Sequence, residues 1–269
     1  MAVVYFSILT MYQAKLLTAN RADLSRRTVA TLHEPGSVWL DSAYGFRDRG
    51  ERSFLARRPV IEVSVSGAEA VISRAGQQPR HLRGNESLEV LGKLWADSGL
   101  FSVGYLSYEA ALPFVDPRAH PAVLPIPDMR FAFYGSVLQV DHLAGTIEPT
   151  NREVDDYADV LDGPEEASTV VRHSGNQARL TAALSKARYC EHVAQIKHHI
   201  HEGDIYQANY TTRIEVKSAE NPVEVYLRLR DLSPSPYAAW LNFGDCQILS
   251  SSPERMFLKE GRSVTTGPI

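Results

Sequence analysis

Apolar and polar residues alternate along the chain in short runs, and these runs set the first expectations. Val3 to Leu9 and Val38-Trp39-Leu40 read as strands, after which Asp41-Ser42 opens a loop through Gly45 and Gly50. Strand character returns at Ser53-Phe54-Leu55-Ala56 and from Val60 to Val65, where β-branched and polar positions mix in a strand pattern. Asn85 precedes Leu88, Leu91, Leu94 and Trp95, a helical spacing that Gly99 closes, glycine being well suited to the turn after a helix. Ser102 to Tyr108 and Phe131 to Asp141 have strand composition. Five prolines between Pro113 and Pro127 predict a loop.

The second half changes character. Thr150 to about Ala182 is rich in Asp, Glu, Ser and Asn and predicts a long polar connection, partly disordered. Ser185 then caps a helix with Tyr189, Val193, Ile196 and Ile200 on one stripe, and Gly203 ends it. Ile205 to Val216 reads as a strand. Asn221-Pro222 starts another helix, a cap followed by proline at the first helical position, with Val223, Tyr226, Leu227 and Leu229 as its packing set. The rest reads as a meander from Tyr237 to Thr266 with turns at Gly244-Asp245 and Glu260-Gly261-Arg262. Strands and helices cluster instead of alternating, which predicts an α+β fold of mostly antiparallel sheets packed with helices. The expected organisation is an N-terminal half over 1–149, the polar connection over 150–182, and the start of a second region over 183–269.

Composition narrows the function classes. The chain has 269 residues, 44% hydrophobic and 22% charged, which is ordinary globular usage. A net charge of −4 supplies no basic field for nucleic acid or an anionic membrane. No run approaches the ~18 apolar residues of a membrane span. Met1 to Leu9 lacks the basic start and small-residue cleavage site of a signal peptide. Cys190 and Cys246 are far apart and read as reduced core thiols, which points to the cytoplasm. His192, His198, His199 and His201 crowd one helix. His198 and His201 have a spacing that can ligate zinc, but no HExxH or cysteine partner accompanies them, so a solvated helix face is expected.

Two longer motifs carry more. One runs Gly203-Asp204-Ile205-Tyr206-Gln207-Ala208-Asn209-Tyr210-Thr211-Thr212-Arg213. The other is Ser250-Ser251-Ser252-Pro253-Glu254-Arg255, with Ser235-Pro236-Tyr237 before it and Thr265-Thr266-Gly267-Pro268-Ile269 after it. In this order and spacing they resemble the chorismate-utilising enzymes, in the branch of component I of aminodeoxychorismate synthase, with component I of anthranilate synthase beside it. Gly104 to Ala111, followed by Pro113-Phe114, is similar to a strand shared across the family, and its Glu-Ala-Ala continuation looks most like the aminodeoxychorismate branch. The resemblance is weak before residue 100 and strong from Gly203 onward.

By residue type alone, Glu254 is a carboxylate at a strand entrance beside an arginine, ordinarily a solvated or paired group. The resemblance implies that Glu254 is the general acid/base. Chorismate has a 4-hydroxyl leaving group, and hydroxide leaves badly, so an acid must protonate that oxygen as the C–O bond breaks. A glutamate with its pKa raised by a partly apolar site stays protonated for this task. Gln207 on a strand is ordinarily a hydrogen-bonding core residue; the resemblance implies a substrate-pocket position. Water-using relatives look to have a lysine there. Glutamine cannot act as a base, which fits ammonia or a covalent enzyme nucleophile.

The resemblance also implies features outside this sequence. In the family a Pro-Ile pair like Pro268-Ile269 precedes a lysine thought to attack the substrate, and usually follows an arginine where Gly267 stands here. Mg²⁺ is expected for the complete enzyme, held by two glutamates that cannot be carried onto these residues. The chain is thus expected to be the N-terminal portion of a component I, with negligible turnover by itself and an unpaired strand edge at the end of its meander. A glutamine amidotransferase subunit is the expected ammonia source. Leu40-Asp41-Ser42 is similar to a family motif that lines a tryptophan pocket. The tentative pocket set is Ser42, Arg49, Gly50, Glu51, Arg52, Pro236, Tyr237 and Ala238, although Asp41-Ser42 also suits a plain strand-end turn and Tyr237 a core position. Two alternatives stay open: anthranilate synthase component I, and a non-catalytic ligand-binding fragment.

Overall fold

A computed structural model gives the architecture and describes residues 2–6, 28–42, 51–83, 86–108, 110, 125–151, 157, 160–161, 179–182, 184–212 and 214–267. The chain divides into two compact units, one of residues 1–169 with 222–269 and the other of residues 170–221.

The larger unit contains two six-stranded sheets. Sheet one has the order β1 (Ala2–Phe6), β7 (Phe101–Leu106), β8 (Met129–Tyr134), β4 (Ile61–Ser66), β5 (Glu69–Arg74), β6 (Arg80–Arg83). Sheet two has the order β10 (Thr146–Pro149), β9 (Leu138–Asp141), β3 (Arg52–Ala56), β2 (Val38–Asp41), β13 (Tyr237–Asn242), β14 (Gln247–Ser252). Neighbouring strands in both are antiparallel. The α+β expectation agrees with this architecture.

Period-two alternation explains how the sheets stack. Val38, Leu40, Ala239 and Leu241 of sheet two meet Val103, Tyr105, Ala132 and Tyr134 of sheet one in a shared core. The intervening Trp39 and Trp240 point to the other face of sheet two, where α3 (Pro222–Leu232) covers them with Val223 and Tyr226. Phe131 and Phe133 point to the far face of sheet one, against Leu91 of α1 (Glu86–Asp97). The central strands are therefore buried on both faces, and each buried phenylalanine contributes about 1.5–3 kcal/mol. A guanidinium also joins the sheets. Arg130 on β8 donates to Glu62 of β4 at 3.3 Å and to Asp245 in the β13–β14 turn at 2.5 Å, and lies 4.7 Å over the Phe243 ring.

Several expectations need correction. Phe131 to Asp141 is two strands. The chain leaves sheet one after Tyr134 and enters sheet two at Leu138, and the crossing is held by Ser136 Oγ donating to Asn151 O at 3.0 Å and Val137 N–H donating to Thr150 Oγ1 at 3.1 Å. Strands β5, β6 and β10 went unrecognised. The β4–β5 hairpin closes on Gly67 at φ 57°, a conformation glycine adopts without a Cβ penalty. Gly104 serves a different need. A Cβ there would sit 2.1 Å from the Arg130 carbonyl oxygen, so only glycine permits this approach of β7 to β8. The core-thiol expectation fails for Cys190, which is exposed, whereas Cys246 is half-buried and packs against the inter-sheet core. Asn85, Ser7 to Leu9, and the proline-rich stretch from Pro113 to Leu124 lie outside the described residues.

The smaller unit holds α2 (Lys186–Glu202) and a two-stranded pair, β11 (Arg179–Ala182) with β12 (Ile214–Lys217). Strand β11 falls within the stretch read as polar connection. Ser185 caps α2 by accepting from Arg188 N–H, and Gly203 terminates it at φ 82°. Ile205 to Val216 is not one strand: residues 205–212 make no ladder, and pairing begins at Ile214.

Candidate functional site

Three separated sequence segments meet at Ser42 in the larger unit. Strand β2 lies between β3 and β13, so its end is brought beside Arg52 and Pro236 by sheet pairing alone. Ser42 N–H donates to Ser53 Oγ at 2.9 Å. Ser42 Oγ faces two carbonyl oxygens, that of Arg52 at 2.8 Å and that of Pro236 at 3.1 Å, and shares its single proton between them. Ser53 Oγ in turn is 2.7 Å from His142 Nε2 in the β9–β10 turn, and Arg52 pairs with Asp141 at 3.5 Å. Ser42, Arg52, Pro236, Tyr237 and Ala238 of the sequence-derived set are thus neighbours, with Ala238 in register with Asp41. Glu51 is exposed, and its carbonyl accepts from His142 N–H at 2.8 Å. Arg49 and Gly50 lie outside the described residues.

A buried charge pair backs this knot. Asp41 is 2% exposed and is ion-paired with Arg230 of α3, whose guanidinium lies 5.1 Å over the Trp39 ring. Burial, reinforced by the Asp41 charge, holds the Tyr226 phenol well above its ordinary range. Asp41 enters the sequence expectations only within a motif, and Arg230, Ser53 and His142 are outside the tentative pocket set. Arg230 had a signal, since it lies one turn beyond the packing residue Tyr226 on the same helix face. His142 had none.

Glu254 stands exposed in the connection between β14 and β15 (Arg255–Glu260). Ser252 Oγ ties down both its backbone groups, accepting from Glu254 N–H at 3.4 Å and donating to Glu254 O at 2.9 Å. The next residue, Arg255, lies 5.8 Å over the Tyr237 ring, so the Ser250–Arg255 motif adjoins the Pro236-Tyr237 segment. Strand β15 pairs with β16 (Ser263–Gly267) as a separate ribbon. Gln207 belongs to the smaller unit, on an exposed segment where its Nε2 donates to Asn209 Oδ1 at 3.5 Å.

Three of the helix-borne histidines have partners in the smaller unit: His198 is 3.9 Å from Glu202, His199 is 2.8 Å from Asp204, and His192 meets Tyr210. Among the described residues, no group of three or more His, Cys, Asp or Glu side chains is placed to hold a metal ion, so Mg²⁺ ligands are not assigned to them. No helix among them is long and apolar enough to cross a membrane.

Residues 36–269 match the family of chorismate binding enzymes. Anthranilate synthase component 1 of Acetivibrio thermocellus is 26% identical over 262 residues, which is 86% of this chain and 53% of that protein. The protein of the same name from Methanothermobacter marburgensis is 31% identical over 187 residues, 68% of this chain and 40% of that one. Aminodeoxychorismate synthase component 1 of Escherichia coli is 24% identical over 255 residues, 88% of this chain and 54% of that one. The crystal structure of anthranilate synthase component I from Streptococcus pneumoniae superposes with a TM-score of 0.62 at 22% identity, over 83% of this chain and 54% of that one, and shows a shared fold. The chain spans about half the length, or less, of the curated relatives it matches.

Proposed function

The chain belongs to the chorismate binding enzyme family, and from that premise we propose that it serves as component I of an aminodeoxychorismate synthase, in the amination of chorismate with ammonia to 4-amino-4-deoxychorismate. The observation that carries this reading is the Ser250–Arg255 motif lying within the family match and holding Glu254 exposed, with its backbone fixed by Ser252. Glu254 takes the role of acid, protonating the 4-hydroxyl so that it departs as water. Gln207 contacts the substrate through a neutral amide that donates and accepts but does not activate water. Ammonia comes from a glutamine amidotransferase partner, and Mg²⁺, when bound to the complete enzyme, neutralises substrate carboxylate charge. The Ser42 knot is the wall of a tryptophan pocket.

A second reading, anthranilate synthesis, is favoured by the higher identity to anthranilate synthase relatives, 26% and 31% against 24%. Calorimetric titration with chorismate tests the common core of both. Saturable binding is expected, and no binding at millimolar chorismate overturns both. With ammonium and Mg²⁺ added, 4-amino-4-deoxychorismate supports the first reading and anthranilate the second. Binding without product supports a ligand-binding role for this chain by itself, the outcome that negligible turnover alone would also give.

A further inference from the structure

We propose that His192 and Tyr210, together with His199 and Asp204, clamp both ends of the segment that carries Gln207, and that they are positioning residues for it. The inference rests on the substrate contact proposed for Gln207, but its geometry lies wholly in the smaller unit. The chain leaves α2 at Gly203 and reverses. At one end of the reversed segment, His199 Nδ1–H donates to Asp204 Oδ2 at 2.8 Å. At the other end, the Tyr210 hydroxyl is hydrogen-bonded to His192 Nδ1, with the two rings edge-on at 5.6 Å. The Tyr210 ring also lies 5.3 Å from that of Tyr189, one turn further back on the helix.

His192 and His199 are seven residues apart, so they share a helix face and are separated by about 10 Å along the axis. The six residue steps from Asp204 to Tyr210 can span about 20 Å when extended. A chain with twice the length it needs between two fixed points must bow away from the helix. Gln207 is at the middle of that bow. Residues 205–209 are all exposed, Tyr206 to 93%, and none of them is in a strand. Among the described residues, the side-chain ties between this segment and α2 are the two clamps and the Tyr189 contact. The amide of Gln207 is therefore located by groups that need never touch the substrate. Restraining the bow in advance lowers the ordering cost at binding.

The test uses the full chain with Tyr210→Phe, which keeps the ring on Tyr189 and removes only the hydroxyl, with His192→Ala, and with the conservative His192→Asn. Backbone order parameters for residues 205–209 are measured by NMR relaxation, and chorismate affinity by calorimetry. Wild-type order parameters near about 0.8 are expected to fall below about 0.6 in Tyr210→Phe and His192→Ala. They are expected to recover in His192→Asn, whose side-chain amide can replace Nδ1, while the melting temperature stays unchanged. Chorismate affinity is expected to weaken about tenfold in the two loosened variants, a change of about 1.4 kcal/mol. Unchanged order parameters overturn the clamp whatever chorismate does. Loosened order with unchanged chorismate affinity overturns the positioning role. Failure of the wild type to bind chorismate overturns the functional reading and the positioning role with it, while the order parameters still decide the clamp.

Discussion

Arg230 on α3 and Asp41 at the end of β2 form an ion pair whose carboxylate is sealed from solvent, with the Trp39 ring beneath the guanidinium. It fastens the helix layer to the strand that ends in Ser42. Removing one partner withdraws this compensation from a buried charge. Arg230→Met is expected to destabilise the protein by about 3–5 kcal/mol, and Asp41→Asn by less, because Arg230 still reaches water. Urea unfolding measures both, and a loss below about 1 kcal/mol in Arg230→Met would make the pair dispensable.

Ser42→Ala removes the hydroxyl shared by Arg52 O and Pro236 O. The stability cost is expected to be only about 1–2 kcal/mol. Tryptophan titration is the more telling measurement. Wild type is expected to bind and Ser42→Ala to bind at least about tenfold more weakly, since the wall segments lose their common anchor. No wild-type binding at millimolar tryptophan removes the pocket reading.

Gly104→Ala is expected to be severe. The new methyl would press on a backbone oxygen, which cannot rotate away as a side chain can. A cost at or above about 3 kcal/mol is expected, the upper range for overpacking. A melting temperature within a degree of wild type would show that β7 and β8 separate more easily than their registry implies.

Alkaline pH should unfold the protein through its phenols. Burial raises Tyr105, Tyr134 and Tyr226 above the ordinary tyrosine value. In the unfolded chain these groups ionise near pH ~10 while the folded ones stay protonated, so the unfolded state binds fewer protons. Their contribution is intact below pH ~10 and is lost as pH rises, by up to about 1.4 kcal/mol per unit for each. Circular dichroism and tyrosinate absorbance should change together above pH ~10. Full tyrosine ionisation with the fold intact would contradict this.

Glu254→Gln separates binding from chemistry. The amide keeps the shape but carries no transferable proton. Chorismate affinity is expected to hold while any product formation falls about 100-fold to 10,000-fold. A turnover within a factor of two of wild type would remove Glu254 from the acid role.

The sequence was most legible where burial is continuous along a strand. Val38-Trp39-Leu40 and Tyr237 to Phe243 read as strands because both faces of β2 and β13 are covered and nearly every position is apolar. The helix starts at Ser185 and Asn221-Pro222 were equally plain. Strand β6 escaped because it contributes one buried residue, Leu82, between exposed polar neighbours. The break at residues 135–137 has only a two-residue signal, Gly135-Ser136, between apolar runs, and hydrogen bonds to Thr150, Asn151 and Tyr157 hold the crossing. The apolar Ile205 and Tyr206 suggested a strand, yet side chains on α2 hold that segment instead of a ladder. For the candidate site, motif order names Ser42, Pro236 and Glu254, and the fold sets Ser42 and Pro236 side by side. Motif order does not reach His142, which the β9–β10 turn of sheet two brings in, or Arg230, whose signal is the helix spacing from Tyr226.

The pairing of Trp39 with Trp240 at the centre of sheet two carries a cost in time. The two strands emerge from the ribosome roughly 200 residues apart, and at ~5–20 residues per second that is about 10–40 s. Through that interval β2 has no neighbour on its β13 side, and one of the most apolar runs of the nascent chain lacks half its cover. Contacts this distant along the chain also slow folding in free solution. Nascent-chain chaperones should matter more to the yield of this protein than its final stability does.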